Sequence, residues 1–388
     1  MPRVLSELSI SPRYDPAGEL GEGLTAQGTG RIATGRPRLH PVTTPRCPHC
    51  ASFAFLDWQE CGNCGVSLGY RFASLDFLQT VEGVATDGDE TWRHCSNREW
   101  GCNWLVADSE ESGRCFSCRL SRTLPPRDDT IAWEKLRATG IAKRRLLVQL
   151  AELGLPITPY FETEGGLGFD LLSSFSGERV MIGHAGGIIT LDLAETVDDY
   201  REKLRMRLGE PYRTMLGHLR HEVGHYYQQV LLRDDAEWDE CRALFGDERA
   251  SYQDAISRHY AQGAPAGWEA SFISEYATMH PWEDFAETFA HYLHITGTLA
   301  TAAHAGVVLD ASRVPGIVEH DVVPLDDYRE VSTDRMLDDW HWLSLMFNRV
   351  NRSMGQNDLY PFTLEPPVVE KLAYVHALVT GATRAVGI

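Results

Sequence analysis

The chain has 388 residues, 43% of them hydrophobic, which is enough for a sizeable core and for two or three domains. Its 55 acidic and 36 basic residues give a net charge of −19, which disfavours general binding to nucleic-acid phosphates. The sequence contains no run of about 18 apolar residues and no apolar segment typical of a secretion signal near its start, so it predicts neither a membrane span nor export.

Composition divides the chain into three segments. Residues 1–45 are rich in glycine, proline and threonine without any periodicity, and we expect a flexible arm there. Residues 46–125 hold eight of the nine cysteines and little regular apolar pattern, so metal would have to hold this region together. Residues 126–388 carry strand and helix patterns and are predicted to form the main domain.

The eight clustered cysteines form two groups of four, and each group ends in a C-x-x-C pair. They are Cys47, Cys50, Cys61 and Cys64 in the first group, and Cys95, Cys102, Cys115 and Cys118 in the second. Without an export signal, such groups indicate metal binding rather than disulfides, and we expect a reducing, cytoplasmic location. One structural Zn²⁺ per group is the simplest interpretation. Iron in a rubredoxin-like site and an interleaved pairing of the cysteines fit the spacing as well.

The main domain alternates between strand patterns and longer helical patterns. Alternating apolar residues between turn residues predict strands at 169–172, 179–183 and 187–193. Apolar spacing of three and four predicts helices at 129–153, 196–208, 211–232, 248–261, 282–296, 333–351 and 366–379. These patterns predict the α+β class, with an N-terminal zinc-ribbon module followed by a mainly helical domain that carries a small antiparallel sheet.

The pentapeptide His221-Glu222-Val223-Gly224-His225 has H-E-x-x-H spacing inside the helix predicted at 211–232. Residues i and i+4 share one face of a helix, so both imidazoles can bind one metal ion. Glu222 lies beside them, where its carboxylate can take a proton from water. The motif is typical of a hydrolytic zinc site.

A third ligand must come from elsewhere in the chain. The metzincin pattern is excluded, because Gln228 and Leu231 occupy the positions of its glycine and third histidine. The gluzincin arrangement takes a glutamate from a later helix, and Glu283 in the helix predicted at 282–296 fits it. Glu287, one turn further, would accept a hydrogen bond from a ligand histidine and fix its tautomer.

Other side chains near Glu283 are alternatives or additions to this set. His280, His291 and His294 are rival ligands, and His291 is the nearest competitor because it follows Glu287 by one turn. Tyr276 lies seven residues before Glu283 and could donate a hydrogen bond to the oxyanion of a hydrolytic reaction.

Several segments taken together resemble the zinc-binding metallopeptidases that carry an N-terminal zinc ribbon. They include CPHC…CGNCGVSLGY, EPYRTMLGHLRHEVGHYY, YATMHPWEDFAETFAHYLHI and NRSMGQNDLYPF, and the resemblance runs from about residue 45 to the end. It implies a zinc ribbon joined to a zincin-like peptidase domain of the gluzincin type. The Tyr…Glu-x-x-Ala-Glu-x-Phe pattern is also similar to the lethal-factor type of zinc protease. That similarity implies an oxyanion tyrosine at Tyr276, a third zinc ligand at Glu283 and a ligand-orienting acid at Glu287. The segment from His225 to Glu283 is longer than in thermolysin-like enzymes, and its insert at 233–275 is expected to shape the cleft.

The sequence therefore predicts a zinc metallopeptidase with one catalytic and two structural Zn²⁺ ions, acting on a peptide or protein. The strand at 187–193 is predicted to be an edge strand that pairs with the substrate backbone. The alternative is a non-catalytic zinc-ribbon and zincin scaffold that binds a protein or nucleic-acid partner. Glu222 argues against a scaffold, because a scaffold has no use for that acid. The zinc ribbons could also dock a protein partner, whereas nucleic acid is disfavoured by the charge and no membrane partner is expected.

Overall fold

The computed structural model describes residues 45–175, 180, 182–193, 214–314, 316 and 318–386. The predicted arm up to residue 44, the predicted helix 196–208 and parts of the predicted strand 179–183 lie outside these residues. Among the described helices, none is both long enough and apolar enough to cross a membrane.

The cysteine-rich region contains short antiparallel strands. They are β1 (Leu68–Arg71), β2 (Asp76–Gln79), β3 (Val84–Asp87), β4 (Glu90–His94) and β5 (Leu105–Ala107). β1 pairs with β2, while β4 lies between β3 and β5 in a second sheet. Tyr70 and Trp104 are buried between these sheets, and the ring of Phe72 stacks on Trp104 at 4.6 Å. The short helix α1 (Phe116–Arg119) follows and contains the last cysteine of the second group.

The second region contains a four-stranded sheet that is mixed rather than antiparallel. Its strands are β6 (Ser121–Thr123), β7 (Gly168–Leu172), β8 (Gly183–Ala185) and β9 (Ile188–Asp192), in the order β6-β7-β9-β8. β7 is parallel to β6 and to β9, and only β8 and β9 are antiparallel. The α+β class is confirmed, but the predicted antiparallel sheet is wrong. Long connections between β6 and β7 return the chain to the same end of the sheet, which makes these strands parallel.

The same strand order corrects the predicted edge strand. β9 contains most of the predicted strand 187–193, yet it lies between β7 and β8. Its apolar side chains Ile189 and Leu191 are buried, as expected for an inner strand. Among the described strands, β8 is therefore the outer one on this side, and it packs against the helix that carries the H-E-x-x-H motif.

Helices make up most of the rest of the molecule. They are α2 (Thr130–Glu152), α3 (Met215–Leu231), α4 (Asp235–Phe245), α5 (Tyr252–Gln262), α6 (Pro281–His304), α7 (Thr333–Ser353) and α8 (Pro366–Val386). The predicted helices within the described residues are confirmed, although α6 and α8 continue beyond their predicted ends. Helix α4 was missed because it is short and buries only Cys241 and Phe245, which leaves a weak apolar pattern. Its N-terminal signal was present, since Asp234 accepts a hydrogen bond from the Glu237 amide at 3.0 Å.

Helix α2 connects the cysteine-rich region with the motif helix. Near its middle, Lys143 Nζ donates to the carbonyl oxygen of Ser117 at 2.7 Å, beside the second cysteine group. Nearly two turns later, Gln149 Oε1 accepts two hydrogen bonds from Arg220, at 3.0 and 3.1 Å. Arg220 precedes His221 in α3. Buried polar groups therefore fix α2 against both regions.

Candidate metal centre

Helices α3 and α6 bring three predicted ligands to one point. His221 Nε2 lies 2.9 Å from Glu283 Oε2, and His225 Nε2 lies 3.4 Å from the same oxygen. All three side chains are buried. Ligand atoms about 2.0–2.1 Å from a tetrahedral zinc ion would be about 3.3–3.4 Å apart. The donor atoms therefore already have nearly the spacing that zinc requires.

Close packing of the two helices makes this convergence possible. Gly224, inside the motif, faces Ala286 on α6, and a Cβ built on Gly224 would lie only 2.8 Å from the Ala286 Cα atom. At the start of α6, His280 caps the helix by accepting a hydrogen bond from the Trp282 amide at 3.1 Å. Glu283 is thereby held in the first helical turn, where the positive end of the helix dipole favours a carboxylate.

Glu287 contacts the ring nitrogen of His221 that does not face Glu283. Its Oε1 lies 2.6 Å from His221 Nδ1, and Ser274 Oγ donates to Oε2 at 2.7 Å. Burial alone would raise the pKa of Glu287, but the hydrogen bonds with His221 and Ser274 and the charges of His221 and His291 together outweigh burial and lower the pKa to about 2. A charged carboxylate at Nδ1 places the proton there and leaves the Nε2 lone pair of His221 for a metal.

Glu222 is buried beside the ligands. Its Oε1 lies 3.1 Å from His218 Nε2, one turn earlier on α3. Its Oε2 is buried and makes no hydrogen bond within the part of the chain that the structure describes. Burial opposes ionisation, but the hydrogen bond with His218 and the neighbouring imidazoles keep the pKa of Glu222 below its usual value. The site thus holds a buried carboxylate with a lowered pKa, and its Oε2 is not hydrogen-bonded to any described residue.

Two tyrosines lie beside the ligands. The ring of Tyr276 lies 5.8 Å from the His221 ring. Burial, with a contribution from the charge of Glu283, raises the pKa of Tyr276 well above its usual value, so its hydroxyl keeps a proton to donate. Tyr252, which the sequence analysis did not identify, donates from its hydroxyl to Glu283 Oε1 at 2.8 Å.

The rival histidines are engaged elsewhere. His291 Nδ1 lies 2.8 Å from the Tyr360 hydroxyl, and His294 stacks on the Tyr360 ring. His280 Nε2 lies 3.1 Å from the Ala250 carbonyl oxygen, in addition to its capping role. Among the described residues, the histidine and carboxylate group with metal-ligand spacing consists of His221, His225 and Glu283.

The cysteines form two separate sites in sequential order. Within each group of four, the ligand atoms all lie within 4.8 Å of one another. Cys47 and Cys64 have their Sγ atoms 3.7 Å apart, and the Sγ atoms of Cys102 and Cys115 are 3.5 Å apart. Four thiolates about 2.3 Å from a zinc ion would be separated by about 3.8 Å, whereas sulfur atoms in a disulfide are about 2.05 Å apart. The geometry therefore fits two tetrahedral metal sites.

Four contributing residues were missed from the sequence. Ser274 and Tyr252 contact acids on α6 from separate segments, and no spacing rule connects them with those acids. Lys143 lies inside a predicted helix, where nothing local indicates its contact with the cysteine-rich region. For His218 a signal existed, because it precedes Glu222 by four residues and such residues share a helical face.

The fold and the site together define a protein with two cysteine-ligated metal sites and a His-His-Glu centre on crossing helices, as in a zinc-dependent hydrolase. The sequence model of the family described as "Putative zinc-binding metallo-peptidase" matches residues 131–378, and that of a zinc-ribbon domain matches residues 45–129. The chain belongs to this metallopeptidase family, and its N-terminal region is a zinc ribbon.

Similar proteins occur in mycobacteria. Uncharacterized proteins of Mycobacterium bovis and Mycobacterium tuberculosis are 42% identical to the chain over 336 residues, which cover 86% of the chain and 94% of each relative. No solved structure shows significant similarity to the chain.

Proposed function

We propose that this chain is a zinc-dependent peptidase that uses Glu222 as its general base. The observation that carries the proposal is the buried carboxylate of Glu222 beside His221, His225 and Glu283, with Oε2 not hydrogen-bonded to any described residue. A purely structural metal site needs no such acid, and burial of an unused charge would be costly.

The residues around the metal position have different chemical roles in hydrolysis. A zinc ion held by His221, His225 and Glu283 would polarise the substrate carbonyl and make a water molecule more acidic. As the oxygen of the water attacks the carbonyl carbon, Glu222 accepts a proton from that water. Glu222 then delivers the proton to the leaving nitrogen as the C–N bond breaks. His218 holds Oε1 of Glu222, so Oε2 is the oxygen that accepts the proton.

Two further features are assigned to substrate binding. The Tyr276 hydroxyl donates a hydrogen bond to the oxyanion that forms on the attacked carbonyl. Strand β8 pairs with the substrate backbone, because it is the outer strand beside α3 among the described strands. The substrate is therefore a peptide or protein segment in an extended conformation.

We assign the zinc ribbon a structural role, in which its metal sites hold the fold together. Its second assigned role is docking of a protein substrate or partner. Its four-thiolate sites require reduced cysteines, so we place the active protein in a reducing compartment such as the cytoplasm. A nucleic-acid partner is disfavoured by the net charge of −19.

The proposal is tested by incubating a peptide library with the zinc-loaded chain and with Glu222→Gln. Glu240→Gln is a matched control, because Glu240 is exposed on α4. We expect cleavage by the wild type and the control, and a loss of about 10²–10⁴-fold in Glu222→Gln with the zinc content unchanged. Equal cleavage by Glu222→Gln would refute the mechanism. Absence of cleavage by every form, with all zinc bound, would favour the scaffold alternative.

A further inference from the structure

The two oxygens of Glu283 have different surroundings. Oε2 faces the Nε2 atoms of His221 and His225 at 2.9 and 3.4 Å, whereas Oε1 accepts the hydrogen bond from Tyr252 at 2.8 Å. A carboxylate can bind a metal through one oxygen or both. A phenol donating to Oε1 withdraws electron density from that oxygen and fixes the carboxylate plane.

The position of Tyr252 is itself well determined. It is the first residue of α5, which Ser251 caps by accepting a hydrogen bond from the Asp254 amide at 3.3 Å. Its ring packs edge-on against His280 at 5.3 Å, the residue that caps α6. Two helix starts therefore meet at this contact. Because Tyr252 is 39% exposed, removing only its hydroxyl leaves the protein core intact.

Tyr252 also contacts the second tyrosine of the site. The hydroxyls of Tyr252 and Tyr276 are hydrogen-bonded to each other, and Tyr252 also donates to Glu283 Oε1. Tyr252 therefore lies between the proposed oxyanion donor Tyr276 and the proposed metal ligand Glu283.

We propose that Tyr252 is a positioning residue of the metal centre, which selects Glu283 Oε2 as the single oxygen that binds zinc. The proposal rests on the zinc site assigned above but not on peptide hydrolysis. Tyr252 acts through Glu283, so loss of the Tyr252 hydroxyl weakens metal binding at this site and leaves the cysteine sites unchanged.

The first experiment measures zinc affinity in the full-length chain. Purified wild type, Tyr252→Phe and Tyr260→Phe are dialysed against chelator-buffered zinc, and zinc per chain is measured as free zinc is lowered. Tyr260 lies on the same helix and is 64% exposed, so it is a matched control. We expect the zinc of the His-His-Glu centre to bind about 10–100-fold more weakly in Tyr252→Phe. The control and the cysteine-bound zinc should match the wild type.

The second experiment separates positioning from general disruption. The zinc of the His-His-Glu centre is replaced by Co²⁺ while zinc stays in the cysteine sites, and the visible absorption of Co²⁺ reports its ligand geometry. We expect an altered spectrum in Tyr252→Phe and an unaltered one in Tyr260→Phe. Unchanged zinc affinity in Tyr252→Phe overturns the proposal, and so does weaker binding with an unaltered Co²⁺ spectrum. A wild-type chain that binds no zinc outside its cysteines overturns the zinc site itself, and this result needs no variant.

Discussion

Gly224 and Ala286 meet backbone to backbone where helices α3 and α6 cross. A Cβ on Gly224 would lie 2.8 Å from the Ala286 Cα and 3.0 Å from its carbonyl oxygen, which is closer than a side chain can approach. The glycine of the H-E-V-G-H motif therefore allows the helix that supplies Glu283 to reach the two histidines.

We predict that Gly224→Ala separates the helices and weakens both the fold and the metal centre. Overpacking of this kind typically costs about 1–3 kcal/mol. Urea unfolding gives the free energy, and metal analysis gives the zinc content. Gly381→Ala is the control, because Gly381 lies in α8 and a Cβ at this position would have nothing within 4 Å. The control should be neutral or slightly stabilised, since alanine lowers the entropy of the unfolded chain. Equal stability of the two variants would contradict the prediction.

We predict that Glu283→Ala loses the zinc of the His-His-Glu centre more completely than Glu287→Ala. In the proposed centre, Glu283 supplies a ligand oxygen, whereas Glu287 acts through His221, and loss of such a partner typically costs about 10–100-fold in affinity. Zinc bound by the cysteines is the internal control. Retention of this zinc in Glu283→Ala together with its loss in His291→Ala would show that His291 is the third ligand.

We predict three zinc ions per chain, one for each of the three ligand groups. Elemental analysis of protein purified without added metal measures this number. A thiol-modifying reagent should release two of the three ions, because two groups consist of cysteines alone. One tightly bound zinc would disprove the two cysteine sites, and iron in their place would indicate rubredoxin-like chemistry.

We predict that Lys143→Met destabilises the zinc ribbon. Lys143 is buried and donates to the Ser117 carbonyl at 2.7 Å and to Ser121 Oγ at 2.5 Å. Its charge also compensates the thiolates of the second cysteine group, which carry a net negative charge even with zinc bound. Leaving these partners unpaired should cost about 1–3 kcal/mol in urea unfolding.

Lys135→Met on the same helix is the control, because Lys135 is only half-buried. The second cysteine site should also bind zinc more weakly in Lys143→Met. If both variants unfold at the same urea concentration and hold zinc equally, Lys143 has no such role.

The parts of the site that the sequence predicted each lie within a single helix. The H-E-x-x-H spacing and the Glu283–Glu287 pair each fall within one helix, so the 3.6-residue repeat alone places their side chains on one face. Most helices were predicted for the same reason, because the apolar residues of one helical face recur every three or four positions along the chain. Strand order was predicted wrongly, because the pairing of β9 with β7 and β8 depends on long connections rather than on the strand itself.

The sequence by itself determined the ligand types, their spacing along α3 and α6, and the division into a zinc ribbon and a helical domain. Only the tertiary structure decided which residues support them. Tyr252 is 31 residues from Glu283, and Ser274 is 13 residues from Glu287. Lys143 reaches back 26 residues to Ser117. Such contacts follow from how helices pack, and no periodicity connects residues in different elements. The two histidines of the candidate centre are readable in the sequence because one helix brings them together locally, whereas Glu283 meets them, and the supporting hydrogen bonds form, only when separate helices pack together.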